Sequence, residues 1–258
     1  MNKLPNTHRK NLRAIQGLIL IAFLLSSLIS QSTQAGWKDF VNDMKSEVKS
    51  SSTSKGGLSS SEISNGLKEA LQVGTKKSIT VLGKTDGFYK DKSVKILMPK
   101  KLKKVDKLLR KIGQKKLADK FIKTMNRAAE QSVKSTLSIF VSAIKQMTLK
   151  DAVNIYKGRE DEATRYFRKT KAGEIHKTIR PIVRKATRQT GVTSNYKKIY
   201  KKIRKLNPKL TKSMPDIDVY ITEKTMDGIF RKIAKEEALI RKNPAARTTD
   251  ILKKVFTR

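Results

Sequence analysis

Two short stretches of this chain set arginine, carboxylate and amide side chains one helical turn apart. MNRAAEQS, from Met125 to Ser132, holds Asn126, Arg127 and Glu130; ARTTD, near the carboxyl end, holds Arg247 and Asp250. A pocket lined by such groups would bind anions or run metal-independent carboxylate chemistry, because a guanidinium fork matches oxyanions and a carboxylate can move a proton. A structural reading of the same residues is simpler. Arg127 and Glu130 at i,i+3 form a helical ion pair worth about 0.2–0.5 kcal/mol, and small Ala128 and Ala129 let a second helix approach and bury it. That reading is preferred over a catalytic one, since ion-pair networks perturb titration without doing chemistry.

Arg247 poses a sharper problem. In NPAARTTDILKKVF, Asn243 is a good N-cap, Pro244 fits the first helical position, and Ile251, Leu252 and Val255 supply a buried face. A helix starting there puts Arg247 on its first turn, where a cation opposes the positive end of the dipole. The residue is therefore expected to be partly buried against a specific partner, an acidic side chain, a carbonyl or a bound anion. Glu236, Glu237 and Glu130 are the expected carboxylates.

Other chemistries are poorly supplied. The chain has no cysteine, which removes disulfides, thiolate nucleophiles and a lipidated amino-terminal Cys. Beyond the first 35 residues the only histidine is His176, so no metal site and no cofactor is expected. Neither a G-x-S-x-G elbow nor a glycine-rich phosphate loop occurs.

Charge is the strongest compositional signal. The 258 residues include 59 Lys+Arg against 22 Asp+Glu, a net charge of +37. Lys3, Arg9, Lys10 and Arg13 precede an apolar run from Ala14 to Ile29, and Thr33 and Ala35 follow with the spacing a signal peptidase needs. The run is shorter than the roughly 20 residues that cross a bilayer, so residues 1–35 read as a cleaved signal peptide, cut between Ala35 and Gly36. A soluble periplasmic product without a transmembrane segment or lipid anchor is expected. Those 35 residues hold four basic and no acidic residues, which leaves +33 for the remainder.

The lysines gather in runs with interleaved apolar residues. KILMPKKLKK carries Lys100, Lys101, Lys103 and Lys104; NYKKIYKKIRKL carries Lys197, Lys198, Lys201 and Lys202. Each is a solvated helix face, or a surface for the phosphates of anionic lipid or lipopolysaccharide. Nucleic acid would suit the charge, but export argues against it as the physiological partner.

The elements that must position these groups are helices. Residues 36–57 read as a short amphipathic segment and a flexible Ser/Gly/Lys linker, and the domain spans 58–258. Ser59 with Glu62 forms a capping box for a helix ending at Gly83, and Thr148 with Asp151 caps a shorter one ending at Gly158. Leu102–Ile112, Leu117–Val133, Leu137–Met147, Ile175–Ala186, Tyr196–Ile203 and Ile221–Ile240 carry apolar stripes at helical spacing. Pro181 is expected to kink or restart its helix. Val94–Met98 is the one extended stretch, and with no partner strand in sight it reads as a loop. The expected fold is all-α, one domain of about seven to nine helices.

GLKEAL, VGTKKSITVLGKTDGF, KILMP, MNRAAE, YFRKT, RPIV and DGIF followed by IRKNPAARTTDILKKVF occur in this order and spacing. On these pieces the chain resembles the bacterial domain-of-unknown-function family 4197, from about Gly57 to the carboxyl terminus. The resemblance implies an exported, mostly helical protein of Gram-negative bacteria, often lipid-anchored, and brings no catalytic residues with it. Lacking a lipobox cysteine, this chain departs from the anchored form. The expected function is a non-catalytic binding or envelope-associated protein whose basic surface engages anionic envelope components. The alternative is a small-ligand binder or metal-independent enzyme with an Arg/Asn/carboxylate pocket.

Overall fold

Ser59 starts the first described helix where its capping box predicts. Its hydroxyl accepts from the Glu62 amide at 3.1 Å, and the Glu62 carboxylate accepts from the Ser59 amide at 2.8 Å. The computed structural model describes residues 58–257; the signal-peptide and linker readings lie outside the described residues. The helices are α1 (Ser60–Leu82), α2 (Lys103–Lys111), α3 (Lys115–Val133), α4 (Leu137–Lys145), α5 (Leu149–Lys157) and α6 (Glu162–Thr170). They continue with α7 (Ala172–Gln189), α8 (Val192–Leu206), α9 (Pro208–Thr211), α10 (Ile217–Lys242) and α11 (Asp250–Phe256). Two 3₁₀ turns, Lys100–Leu102 and Pro244–Ala246, complete the described residues, which contain no strand.

The described residues are thus all-α, with eleven helices among them rather than seven to nine. One added helix is the single turn α9, opened by Pro208. The stripes Leu117–Val133 and Leu137–Met147 belong to two helices, for at Lys134–Thr136 buried Thr136 turns its hydroxyl back onto the Val133 carbonyl at 2.8 Å and separates α3 from α4. Pro181 does not restart its helix. It sits on an exposed face inside the continuous α7.

Helices α1 and α10 form the axis. Lys77 pairs with Glu236 at 2.8 Å, while Phe88, just past the end of α1, meets Gly228. Rising numbers in α1 therefore match falling numbers in α10, and the two run antiparallel. Leu67, Leu71, Leu82, Phe121, Met125, Ile179, Ile199 and Ile229 are buried among the surrounding helices. Each such side chain contributes about 1.5–3 kcal/mol by leaving water. Phe140 meets Phe230 edge-on at 5.6 Å, and Phe121 stacks on Tyr196 at 5.6 Å, joining α4 to α10 and α3 to α8.

Candidate functional site

The sequence leaves residues 83–99 between two helices, and that segment carries the site. Asp86 adopts φ 70°, rare for a residue with a Cβ. Gly87 must follow it, because a Cβ there would lie 2.5 Å from the Val81 carbonyl oxygen and 2.6 Å from that of Leu82.

Backbone groups in an irregular buried segment need partners, and α3 supplies them from side chains. Glu130 Oε1 accepts from the amides of Phe88 and Tyr89, each at 3.1 Å. Asn126 Oδ1 accepts from the Ile96 amide at 2.9 Å, and Asn126 Nδ2 donates to the Ile96 carbonyl at 2.8 Å. A single buried amide thus does for Ile96 what a neighbouring strand would do; Val94 still closes a turn onto the Asp91 carbonyl at 3.1 Å, and residues 95–98 run on as irregular chain without a sheet. Arg127 completes the clamp, donating to Glu130 at 2.6 Å and to Asp86 at 2.5 Å. Hydrogen bonds from Lys90 and then from Arg127 hold the Asp86 carboxyl below its usual range. Burial pushes Asp91 up, but the Lys232 ammonium and Ser93 outweigh it and leave that carboxyl at about 2.

The far side of the segment lies on α10. Gly228 permits the contact: a Cβ there would fall 2.6 Å from the Phe88 ring. Along the seam runs an open cleft of ≈ 240 Å³ edged by Ser93, Lys95, Tyr220, Lys224, Asp227 and Arg231. The Tyr220 hydroxyl donates to the Leu97 carbonyl at 3.0 Å and ties the walls together.

Arg247 and Asp250 do not join this cluster. Residues 228 and 240 are 12 apart in α10, about 18 Å at the helical rise, and Arg247 binds at the latter end. It is buried, as expected, but its partner is not a carboxylate. Its Nε donates to the Ile240 carbonyl at 3.1 Å and an Nη to the Arg241 carbonyl at 3.0 Å. Nor does it stand on a first helical turn, because Pro244–Ala246 closes as a 3₁₀ turn and α11 begins at Asp250 with Thr249 as cap. The bare carbonyls at the end of α10 carry the negative pole of its dipole and satisfy the cation directly. Asp250 is exposed and, among the described residues, pairs only with Lys253, at 3.5 Å.

Glu237, expected beside Arg247, is committed elsewhere. Its carboxylate accepts from the Ala163 amide at 3.0 Å and from the amide and hydroxyl of Thr164 at 3.1 and 3.0 Å, capping α6. Arg241 donates to Glu237 at 3.2 Å and to the Ile155 and Tyr156 carbonyls at 3.0 and 3.1 Å, closing α5. Burial raises the Glu237 carboxyl above its ordinary value against the pull of those donors. The sequence held one signal for it: Glu237 falls on the same stripe as Ile233 and Ile240, and a charge on a core stripe requires partners. The cleft residues Lys95, Lys224 and Arg231 carried no such mark.

The lysine runs stand in solvent. Lys100, Lys101, Lys103, Lys104, Lys197, Lys198, Lys201 and Lys202 are all exposed, and none forms an ion pair among the described residues. From Ile175 to Pro215 the chain has 13 Lys/Arg and no acidic residue. Tyr200 and Leu206 are exposed among the cations of α8. No described helix is long and apolar enough to cross a membrane.

These features define a class: an all-α protein that spends buried polar side chains on holding one irregular segment against a long central helix. Residues 57–257 match a family model described as Protein of unknown function (DUF4197), and the chain belongs to that family. No curated protein matches it, and no solved structure does.

Proposed function

We propose that this protein is an exported, non-catalytic binding protein of the cell envelope, cleaved between Ala35 and Gly36, whose basic surface engages anionic lipid or lipopolysaccharide phosphates. The observation that carries the reading is the set of exposed lysines, without ion pairs among the described residues, on the Lys100–Leu102 turn, α2 and α8, within a 41-residue interval free of acid in the case of α8. Cations meant for internal stability would have carboxylates within reach. These face water, where a field of this sign gathers polyanions. Arg127, Asn126 and Glu130 satisfy one another and the backbone, which favours a structural role over a catalytic one.

Vesicle cosedimentation tests the reading. Anionic vesicles should bind the protein and neutral ones should not, with affinity falling steeply as salt shortens the Debye length below about 10 Å. Each lysine near a charged surface contributes about 1 kcal/mol, so replacing Lys197, Lys198, Lys201 and Lys202 by Gln should weaken binding roughly a hundredfold or more. Equal binding to both vesicle types at every salt concentration overturns it. Amino-terminal sequencing of periplasmic protein should begin at Gly36, and recovery of intact Met1 in a membrane fraction would contradict cleavage.

A further inference from the structure

We infer that the cleft between residues 93–97 and α10 is a binding site for a phosphate dianion, distinct from the lysine faces and independent of the surface reading. Three cations edge it, Lys95, Lys224 and Arg231, against one carboxylate, Asp227. That carboxylate is already spent: Arg168 holds one oxygen at 3.1 Å and Lys224 the other at 3.0 Å. Lys95 rests on the Tyr89 ring, 4.2 Å from its centroid, and makes no ion pair among the described residues. Arg231 is exposed and has no hydrogen-bond or ion-pair partner among the described residues. The excess positive charge is thus about two, the charge of a phosphate monoester near neutral pH.

Size and rigidity agree. The cleft's ≈ 240 Å³ is below the roughly 300–1,000 Å³ of drug-sized sites, which suits one headgroup-sized ligand. Its outer wall is held from behind by Asn126 on Ile96 and Glu130 on Phe88 and Tyr89, and from the front by Tyr220 on Leu97. A wall fixed before binding leaves less entropy to lose when the ligand arrives. Arg231 supplies the fork that grips two phosphate oxygens, while Lys95 and Lys224 act as point charges. The buried polar residues of α3 thereby acquire a purpose beyond packing, as supports of a preformed cleft.

Titration calorimetry on the full chain tests this at constant ionic strength, with inorganic phosphate and glycerol 3-phosphate as probes and chloride as the balancing anion. Saturable one-to-one binding is expected. Loss of a charge-assisted bidentate contact in Arg231→Gln should weaken it about tenfold or more, while Lys242→Gln, at an exposed position about 16 Å further along α10, stays within about twofold. Because Arg231 is exposed, the variant should keep its helical circular dichroism. Equal affinity for both probes assigns the site to free phosphate; preference for the ester assigns it to an esterified headgroup. Binding that Arg231→Gln leaves unchanged, or heats no larger than those of chloride, overturns the site. Vesicle binding lost with the α8 lysines would still stand in that case, so the two proposals fail separately.

Discussion

Two buried glutamates of this protein perform the same chemistry in different settings. Glu130 and Glu237 each accept from two consecutive backbone amides and from an arginine of their own helix, Arg127 at i−3 and Arg241 at i+4. The Glu237 pair joins two regular ends, the carboxyl terminus of α5 and the amino terminus of α6. Its charges match the poles of those helices, and both side chains are nearly closed to water, 3% and 11% exposed. The Glu130 pair holds an irregular segment with no helix pole to help it. Arg127 is 26% exposed and shares itself with Asp86 at the surface. One clamp secures a corner of the fold; the other secures a wall of a cleft.

The largest expected effects separate the two. Glu237→Ala leaves Arg241 and two amides buried without their carboxylate and should cost about 3–5 kcal/mol in urea unfolding. Glu130→Ala leaves Arg127 with Asp86 and access to water, so about 2 kcal/mol is expected. If Glu130→Ala cost as much as Glu237→Ala, the proposed contrast between corner and wall would collapse.

Arg247→Ala comes next. Its partners are carbonyls, so the substitution strands no opposite charge, and about 1–2 kcal/mol should be lost by uncapping the end of α10. Melting curves measure it. A loss near that of Glu237→Ala would mean that the guanidinium has a charged partner after all.

The smallest effects are in the pH profile, and their signs differ between carboxylates. The Lys254 ammonium, with the Ser59 amide and hydroxyl, holds Glu62 at about 2, and Lys232 with Ser93 holds Asp91 at about 2 against its burial. Both lie below their unfolded values of about 4. Their contribution is therefore present above about pH 4 and lost as pH falls toward 2. Glu237 is raised, so its contribution is complete below its unfolded value and is lost as pH rises through its folded one. Urea unfolding between pH 2 and 7 should show a shallower acid limb in Glu62→Gln and Asp91→Asn, each by about 1 kcal/mol or less. An acid limb identical to that of the unsubstituted chain would remove these two pairs from the account.

The sequence by itself determined what depends on neighbours within about four residues. Helical class, the capping boxes at Ser59 and Thr148, the stops at Gly83 and Gly158, and the loop after Val94 all follow from local period and cap chemistry. Even Arg127 with Glu130 was legible as an i,i+3 pair. Only the tertiary structure decided the bonds that cross the chain: Asn126 to Ile96 over 30 residues, Glu237 to Ala163 over 74, Arg241 to Ile155 over 86. Local patterning leaves those distances free, because a buried charge states that it needs partners without stating which. Arg247 shows the limit most plainly. Its burial was expected from a first helical turn that it does not occupy, and whether carboxylate or carbonyl would meet it depended on how Pro244–Ala246 turned the chain back over the end of α10.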